Sequence, residues 1–417
     1  MDQYTWADES INSCPRYATG FTQLLALNPY FVFYDVWSQY ELRLPIIKAF
    51  QRIALKIFRD AINGETHPDI LHWLLNETPH SLGIQYHRRL EERHYTLPVF
   101  FRTDEVLSGK IAEIQCPGSL WGELQLVFDY LKKLGVNRAI SPADSFVHQL
   151  TDFLNESPII DHRLDNASGP AGMRFFIEKT RPYAKYWGID YDIWPANCNF
   201  IRNHSFFGLC ADNEFQSRIT RVGNGITYDL PPHVLFDQKA SLVLPFWSLT
   251  RELFSDTIRD LFVFTTPLLP SGIELPDKFV TIDEFAQLPR SRRSYYLKYA
   301  GSDVSLNWGS RAVYRLSNIS GDSCRDLLKQ CMAGYKKGQI WLIQEERTQN
   351  DDIAYLTRDG CRHTEKLRAK FSAFYGPIAC LGVLAMHRHH NKVHGQKDTI
   401  ISFVLPKGKD TESLMDI

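Results

Sequence analysis

The chain has 417 residues, 44% hydrophobic and 23% charged, with Phe 26, Tyr 19 and Trp 9, enough for about two or three packed subdomains and the wrong composition for a disordered chain. Its formal net charge of -1 excludes a global field for nucleic acid or an anionic membrane, leaving a local basic cluster at Arg290, Arg292 and Arg293. Eight scattered cysteines without a C-x-x-C pair, an acidic start (MDQYTWADES) and apolar runs such as 378–386, about half of the roughly 20 residues a bilayer span needs, point to a soluble cytoplasmic protein with reduced thiols.

In chain order, Pro45 to Ile62 carries Ile46, Ile47, Phe50, Ile53, Ala54, Ile57 and Phe58 at helical spacing, which predicts an amphipathic helix. LPVFFRTD, a turn at Ser108-Gly109 and KIAEIQC predict a strand pair. SLWGELQLVFDYLKKLG reads as a helix with Gly135 as its C-cap. MRFFIEK (173–179) and ASLVLPF (240–246) read as buried strands, LTRELFSDTIRDLF (249–262) as a helix between sheet elements, and TPLLPSG (266–272) as a turn-rich boundary. Beyond it come strands SYYLKYA and AVYRL, helix GDSCRDLLKQCMAGYKK, strand IWLIQEE, and tail strands around ACLGVLAMH and TIISFVL. This alternation predicts an α/β (α+β) fold. The expected partition is 1–160, an N-terminal helical region with central-sheet elements; 161–270, an α/β substrate domain; 271–350, a lid; and 351–417, C-terminal strands.

Two groups of residues carry chemistry. On paired strands alternate side chains share a face, so Arg102, Asp104, Glu113 and Gln115 converge. Asp104, Glu113 and Gln115 are oxygen ligands suited to Mg2+, and Arg102 suits a phosphate. A charged, solvent-facing hairpin is the plain alternative, but the apolar flanks of Glu113 favour a half-buried carboxylate that needs a partner. Downstream, Lys298 closes an apolar strand before the loop AGSDVSLNWGS, in which Gly301, Ser302 and Gly309 could cradle a phosphate. Gln344 and Glu345 end another apolar strand, placed either for an adenine edge or simply for solvent. Asp165 to Phe176 reads as a loop before a strand, either an acceptor site or an ordinary connection. His387, His389, His390 and His394 lack zinc-site spacing, and Asp256, Arg259 and Asp260 read as surface. There is no Ser-His-Asp signature and no G-x-x-x-x-G-K-[ST] loop.

Taken in order, these motifs resemble those of the circularly permuted ATP-grasp ligases, the group of glutathionylspermidine synthase and eukaryotic-type glutathione synthetase. Arg102 and Asp104 match the group's R-x-D motif; Glu113 and Gln115 match its E-x-N motif, with Gln in place of Asn. Lys278 and Lys298 match the two lid lysines, Gly301 and Ser302 open the phosphate loop, and Glu345 matches the hinge acid. The loop has fewer glycines than is usual in the group. Arg388 and Lys392 lie near carboxy-terminal strands that in this group return to the nucleotide. The resemblance implies ATP and two Mg2+ ions as cofactors, with Arg102 and Lys298 catalytic. Lys278, Lys298, Gly301, Ser302, Gln344, Glu345 and Arg388 would bind ATP, and Asp104, Glu113 and Gln115 the metal. It also implies carboxylate and amine substrates (an amino acid, polyamine or short peptide) joined through an acylphosphate. A phosphotransferase and an inactive ATP-binding scaffold are the rival readings. Neither substrate is identified, and the oligomeric state stays open, a homodimer included.

Overall fold

The computed structural model describes residues 24–26, 29–78, 84–85, 88, 97–106, 109–116, 120–133, 140–162, 171–186, 198–202, 227–228, 234–236, 238–307, 312–348, 350–357, 361–389 and 399–407. Strands β1 (Leu24–Leu25) and β2 (Tyr30–Phe33) lead into helix α1 (Tyr34–Ile62). This helix begins well before the expected Pro45, and it buries Tyr40, Leu44, Ile47, Phe50, Ala54, Ile57, Phe58 and Ala61 at the i, i+3, i+4 spacing of one stripe. After α2 (Pro68–Leu75), β3 (Phe101–Glu105) and β4 (Ile111–Gln115) form the expected hairpin, with Gly109 at φ 76 in its turn. Helices α3 (Trp121–Lys133) and α4 (Pro142–Leu154), strand β5 (Ile159–His162), helix α5 (Ala171–Thr180), and strands β6 (Lys185–Tyr186), β7 (Phe200–Arg202) and β8 (Thr227–Tyr228) follow. Their strands make a parallel sheet in the order β6-β5-β7-β8.

Helix α6 (Asp256–Leu261) precedes a second sheet built from β9 (Thr265–Leu269), β10 (Gly272–Glu274) and β11 (Phe279–Val280). Helix α7 (Ile282–Gln287), strand β12 (Tyr295–Tyr299), the short helix α8 (Val304–Asn307), strand β13 (Val313–Arg315), helix α9 (Gly321–Ala333) and strand β14 (Trp341–Glu345) complete that unit. The sheet order is β11-β10-β9-β14-β12-β13. One face packs Leu297, Tyr299 and Ile343 against Phe285 of α7 and Leu328 of α9. Finally β15 (Asn350–Leu356), β16 (Arg362–Tyr375), β17 (Cys380–Arg388) and β18 (Ile400–Lys407) join the hairpin. They form the largest sheet, β1-β18-β17-β16-β3-β4, with β15 also on β16 and β2 on β18. The carboxy-terminal strands are therefore its centre.

Four expectations change. MRFFIEK lies within helix α5, because Phe176 and Ile177 bury against Trp121 and Phe146 of neighbouring helices; a short apolar run fits either period. ASLVLPF is not a strand: Lys239–Val243 winds as a 3₁₀ turn under Trp73, whose indole donates to the Ala240 carbonyl at 2.9 Å. Only Arg251–Leu253 and Asp256–Leu261 of 249–262 are helical. Residues 266–269 are not a boundary but most of β9, inside the second sheet. The phosphate-loop residue Gly309, the loop 163–170, and His390, Lys392 and His394 lie outside the described residues, as does Gly135.

Both faces of the large sheet are covered. Phe101, Phe371, Ala373, Tyr375, Val383 and Ala385 pack under α1. On the opposite face Phe374, Leu384, Met386 and Phe403 pack under α3, with Phe374 at 4.9 Å from Trp121. That second cover ends short of the polar half of the face, and the site lies there.

Candidate functional site

Register puts the site residues on one surface. Arg102 pairs with Gln115 and Asp104 with Glu113 across the hairpin, while Ser372 of β16 lies opposite Asp104 on its other side. Paired residues of antiparallel strands point the same way, so Arg102, Asp104, Glu113, Gln115, Ser372 and, two residues along, Lys370 share a face. Arg102 and Asp104 are fully buried. Asp104 Oδ1 accepts from the Ser372 hydroxyl at 2.6 Å; Oδ2 accepts from Lys370 Nζ at 2.5 Å and from Arg102 Nη2 at 3.1 Å. Glu113 Oε1 accepts from Gln115 Nε2 at 3.0 Å and lies 3.3 Å from Lys239 Nζ, which the 3₁₀ turn presents. Burial alone would raise the Glu113 carboxyl; Lys239, with Lys370 and Lys298, holds it down at about 2.

The second sheet faces this surface. Gln344 donates to the Ala112 carbonyl of β4 at 3.0 Å and to Thr265 at 2.9 Å, and the Val263 amide donates to the Ile111 carbonyl at 2.9 Å. Lys298 donates to Gln344 Oε1 at 2.6 Å. Burial pushes its ammonium down to about 8, opposed by Glu113 and reinforced by Lys239 and Lys370. Tyr296 lies on the same face of its strand as Lys298 and meets Arg368 of β16 at 3.5 Å. The outcome is a cleft between two sheets where, among the described residues, Lys239, Lys298 and Lys370, with the buried Arg102 beneath, surround Asp104 and Glu113: four cations to two anions. Such a surplus in a half-desolvated cleft suits a polyanion.

Of the expected residues, the structure thus gathers Arg102, Asp104, Glu113, Gln115, Lys298 and Gln344, and puts Arg388 on the same face two strands from Asp104. Others stand apart. Lys278 is exposed beside a separate cleft of about 740 Å³ lined also by Phe246, Arg259, Phe264, Glu274 and Phe279. Glu345 points to the face opposite Lys298 and pairs with Arg347 at 2.8 Å, its amide held by the Phe264 carbonyl. Gly301 and Ser302 are buried beside Glu77, whose Oε2 accepts from the Asp303 amide at 3.2 Å and from the Tyr299 hydroxyl. A carboxylate of the chain itself holds that loop. His387 is fully buried, 3.9 Å from Asp351, and burial pushes it down to about 4.

Sequence reasoning missed Lys239, Lys370 and Ser372. Lys370 and Ser372 alternate with buried Phe371 and Ala373, the pattern of a strand with one polar face, so a signal for them existed; nothing marked Lys239. As for a divalent cation, both Asp104 oxygens already carry protein donors, and no three His, Cys, Asp or Glu side chains gather as a cage among the described residues. Glu113 and the Gln115 amide oxygen suit an ion that arrives on a polyphosphate.

No family model matches the sequence, and no curated protein matches it. Among solved structures the chain is similar to a glutathione synthetase-like effector from Globodera pallida, in its apo form, at 11% identity and TM-score 0.50 over 98% of either chain. That likeness is one of fold. No helix among the described residues is long and apolar enough to cross a membrane.

Proposed function

We propose that the chain is an ATP-grasp carboxylate–amine ligase of circularly permuted order, with the second sheet as its lid. What supports it above all is the cleft between the two sheets, where Lys298 of β12 approaches the Glu113–Lys239 and Asp104–Lys370 pairs. Two anionic reactants must meet in such a reaction, and fixed cations offset their repulsion. Lys239, Lys298 and Lys370 would receive the ATP phosphates, with Lys239 in the place expected of Lys278. Arg102 holds Asp104, and Glu113 and Gln115, with Asp104 behind them, would hold Mg2+. When bound, that ion would draw charge from the transferred phosphoryl group.

A carboxylate oxygen of the donor attacks the γ-phosphorus as its bond to ADP breaks. The amine nitrogen then attacks the acyl carbon, phosphate departs with the bonding electrons, and the nitrogen gives a proton to solvent. The chain's own residues bind, align and exclude water. A second reading, ATP binding without turnover, is favoured by the filled oxygens of Asp104 and by Glu77 seated in the Gly301–Asp303 loop. Amine-dependent release of ADP and phosphate, screened with amino acids, polyamines and short peptides, separates the two. Turnover without an amine would mean a phosphotransferase, and no turnover with an intact Mg-ATP thermal shift would mean a binding protein.

A further inference from the structure

Three parts of the molecule meet at the carboxy-terminal end of α2. Trp73 donates its indole N–H to the Ala240 carbonyl at 2.9 Å, and Gln238 donates to the Leu74 carbonyl at 2.6 Å. The Asn76 side-chain amide donates to Gln238 Oε1, so α2 grips the residues on either side of Lys239. His72 Nε2 donates to the Tyr335 carbonyl at 2.9 Å, in the turn Tyr335–Lys337 that follows α9. Gly338, at φ 86, passes so close to the Asn76 carbonyl that a Cβ would strike it. Glu77 completes the set. Its Oε2 accepts from the Tyr299 hydroxyl and, at 3.2 Å, from the Asp303 amide, at the end of the strand that carries Lys298.

Two features separate this junction from ordinary packing. Asn76, 5% exposed, is held at φ 43 and ψ -124, a backbone region that residues other than glycine seldom occupy and that persists only where the surroundings over-determine it. That turn, with the Glu77 amide donating to Asn76 Oδ1 at 2.8 Å, aims the Glu77 carboxylate into the loop. The loop itself spends its amides on carboxylates of the chain: Asp303 N–H on Glu77, and Ser305 N–H on Asp303 Oδ1 at 2.8 Å. Backbone amides of a small-residue loop are the donors a phosphate would use. Burial, and then the Glu77 carboxylate, raise the Tyr299 phenol above its ordinary range, so the phenol stays the donor in this contact.

We propose that Glu77 is a latch: an internal anion that occupies the loop after Lys298, ties the second sheet to the Lys239 turn through α2, and gives way when a polyphosphate takes the loop. This rests on the ATP-binding part of the reading above and adds its regulation. The latched form is the resting state, and the incoming phosphates must displace a carboxylate of like charge. Polyphosphate affinity and release of the α2 end are therefore linked.

The test uses the full chain, Glu77→Gln and Glu77→Ala. Glutamine keeps an acceptor for Tyr299 and Asp303 but removes the charge; alanine removes both. Hydrogen exchange of the apo chains comes first, then titration with Mg-ATP and with magnesium tripolyphosphate, a probe without a base. Apo exchange at 299–303 should quicken in Glu77→Ala and change little in Glu77→Gln. Both probes should bind Glu77→Gln about tenfold more tightly than the parent, the gain from removing one opposed charge. In the parent, Mg-ATP should lower protection at 72–78 while raising it at 295–303. Equal or weaker probe binding by Glu77→Gln would make Glu77 a structural anchor and overturn the latch. Unchanged apo exchange at 299–303 in Glu77→Ala would do the same, as would added protection at 72–78 with Mg-ATP. If neither the parent nor Glu77→Gln binds Mg-ATP, the ligase reading fails by itself. Tripolyphosphate that still binds more tightly to Glu77→Gln would then keep the latch, and its failure to bind would end the latch too.

Discussion

Lys298 shows how a single side chain can carry a testable charge. Burial brings its pKa from the ordinary 10.5 down to about 8. Between about pH 8 and 10.5 the unfolded chain therefore binds a proton that the folded chain does not, so this residue makes stability rise with pH across that window. A bound polyanion favours the ammonium, so the Mg-ATP thermal shift should hold up to about pH 8 and shrink above it. Lys298→Met should abolish that pH dependence and weaken ATP binding about ten- to hundredfold at neutral pH, while the apo midpoint holds or rises because a buried charge is removed. A full, pH-responsive shift in the mutant would remove Lys298 from the site. Glu113 tests the neighbouring carboxylate. Held down at about 2 by Lys239, it adds stability that is present above its unfolded value of 4.5 and lost as pH falls toward 2. Glu113→Gln should flatten that acid limb and remove turnover; normal ADP release by this variant would exclude Glu113 from the chemistry.

The β3–β4 hairpin was legible because alternation and a turn signal lie within fifteen residues of chain, and they fix which side chains share a face. What holds it could not be read, since the partners come from far away. Lys370 and Ser372 reach Asp104 across 266 and 268 residues, and only the strand order sets β16 beside β3. On the rear face Arg43 of α1 donates to Glu105 at 2.6 Å, and Thr103 donates to the same carboxylate at 2.7 Å. Burial raises the Glu105 pKa against the pull of Arg43. Gly109, at φ 76, leaves room for that guanidinium, which a Cβ would strike. Gly109→Ala should cost about 1–2 kcal/mol in backbone strain, and Arg43→Met about 3–5 kcal/mol because it strands a buried carboxylate. Chemical denaturation measures both. Equal, small losses would mean that the pair does not hold the hairpin.

At the scale of the molecule, the mixed α/β class follows from the alternation of strand and helix patterns, whereas the helical nature of 171–180 and the place of β9 follow from packing that no local window contains. Among the described residues, the joints between the second sheet region and the large sheet include Gln344 to Ala112, Val263 to Ile111 and Arg368 to Tyr296. The first two lie at one edge, beside β4, and resemble a hinge line; the third lies across the cleft. A ligand with several negative charges would bind cations of both sheets at once, Lys298 from the second sheet and Lys370 from the large one, together with Lys239 of the 3₁₀ turn, and would order the joint as a unit. Hydrogen exchange with and without Mg-ATP should therefore show added protection in two segments distant in sequence, about 295–303 and about 366–372. The α1 stripe, already buried under the large sheet, should not change. Protection confined to 295–303 would describe a loop closing on itself, and protection spread evenly over α1 would describe general stabilisation. Either pattern would count against a cleft that closes between two sheets, and with it against the shared-cation account of ATP binding.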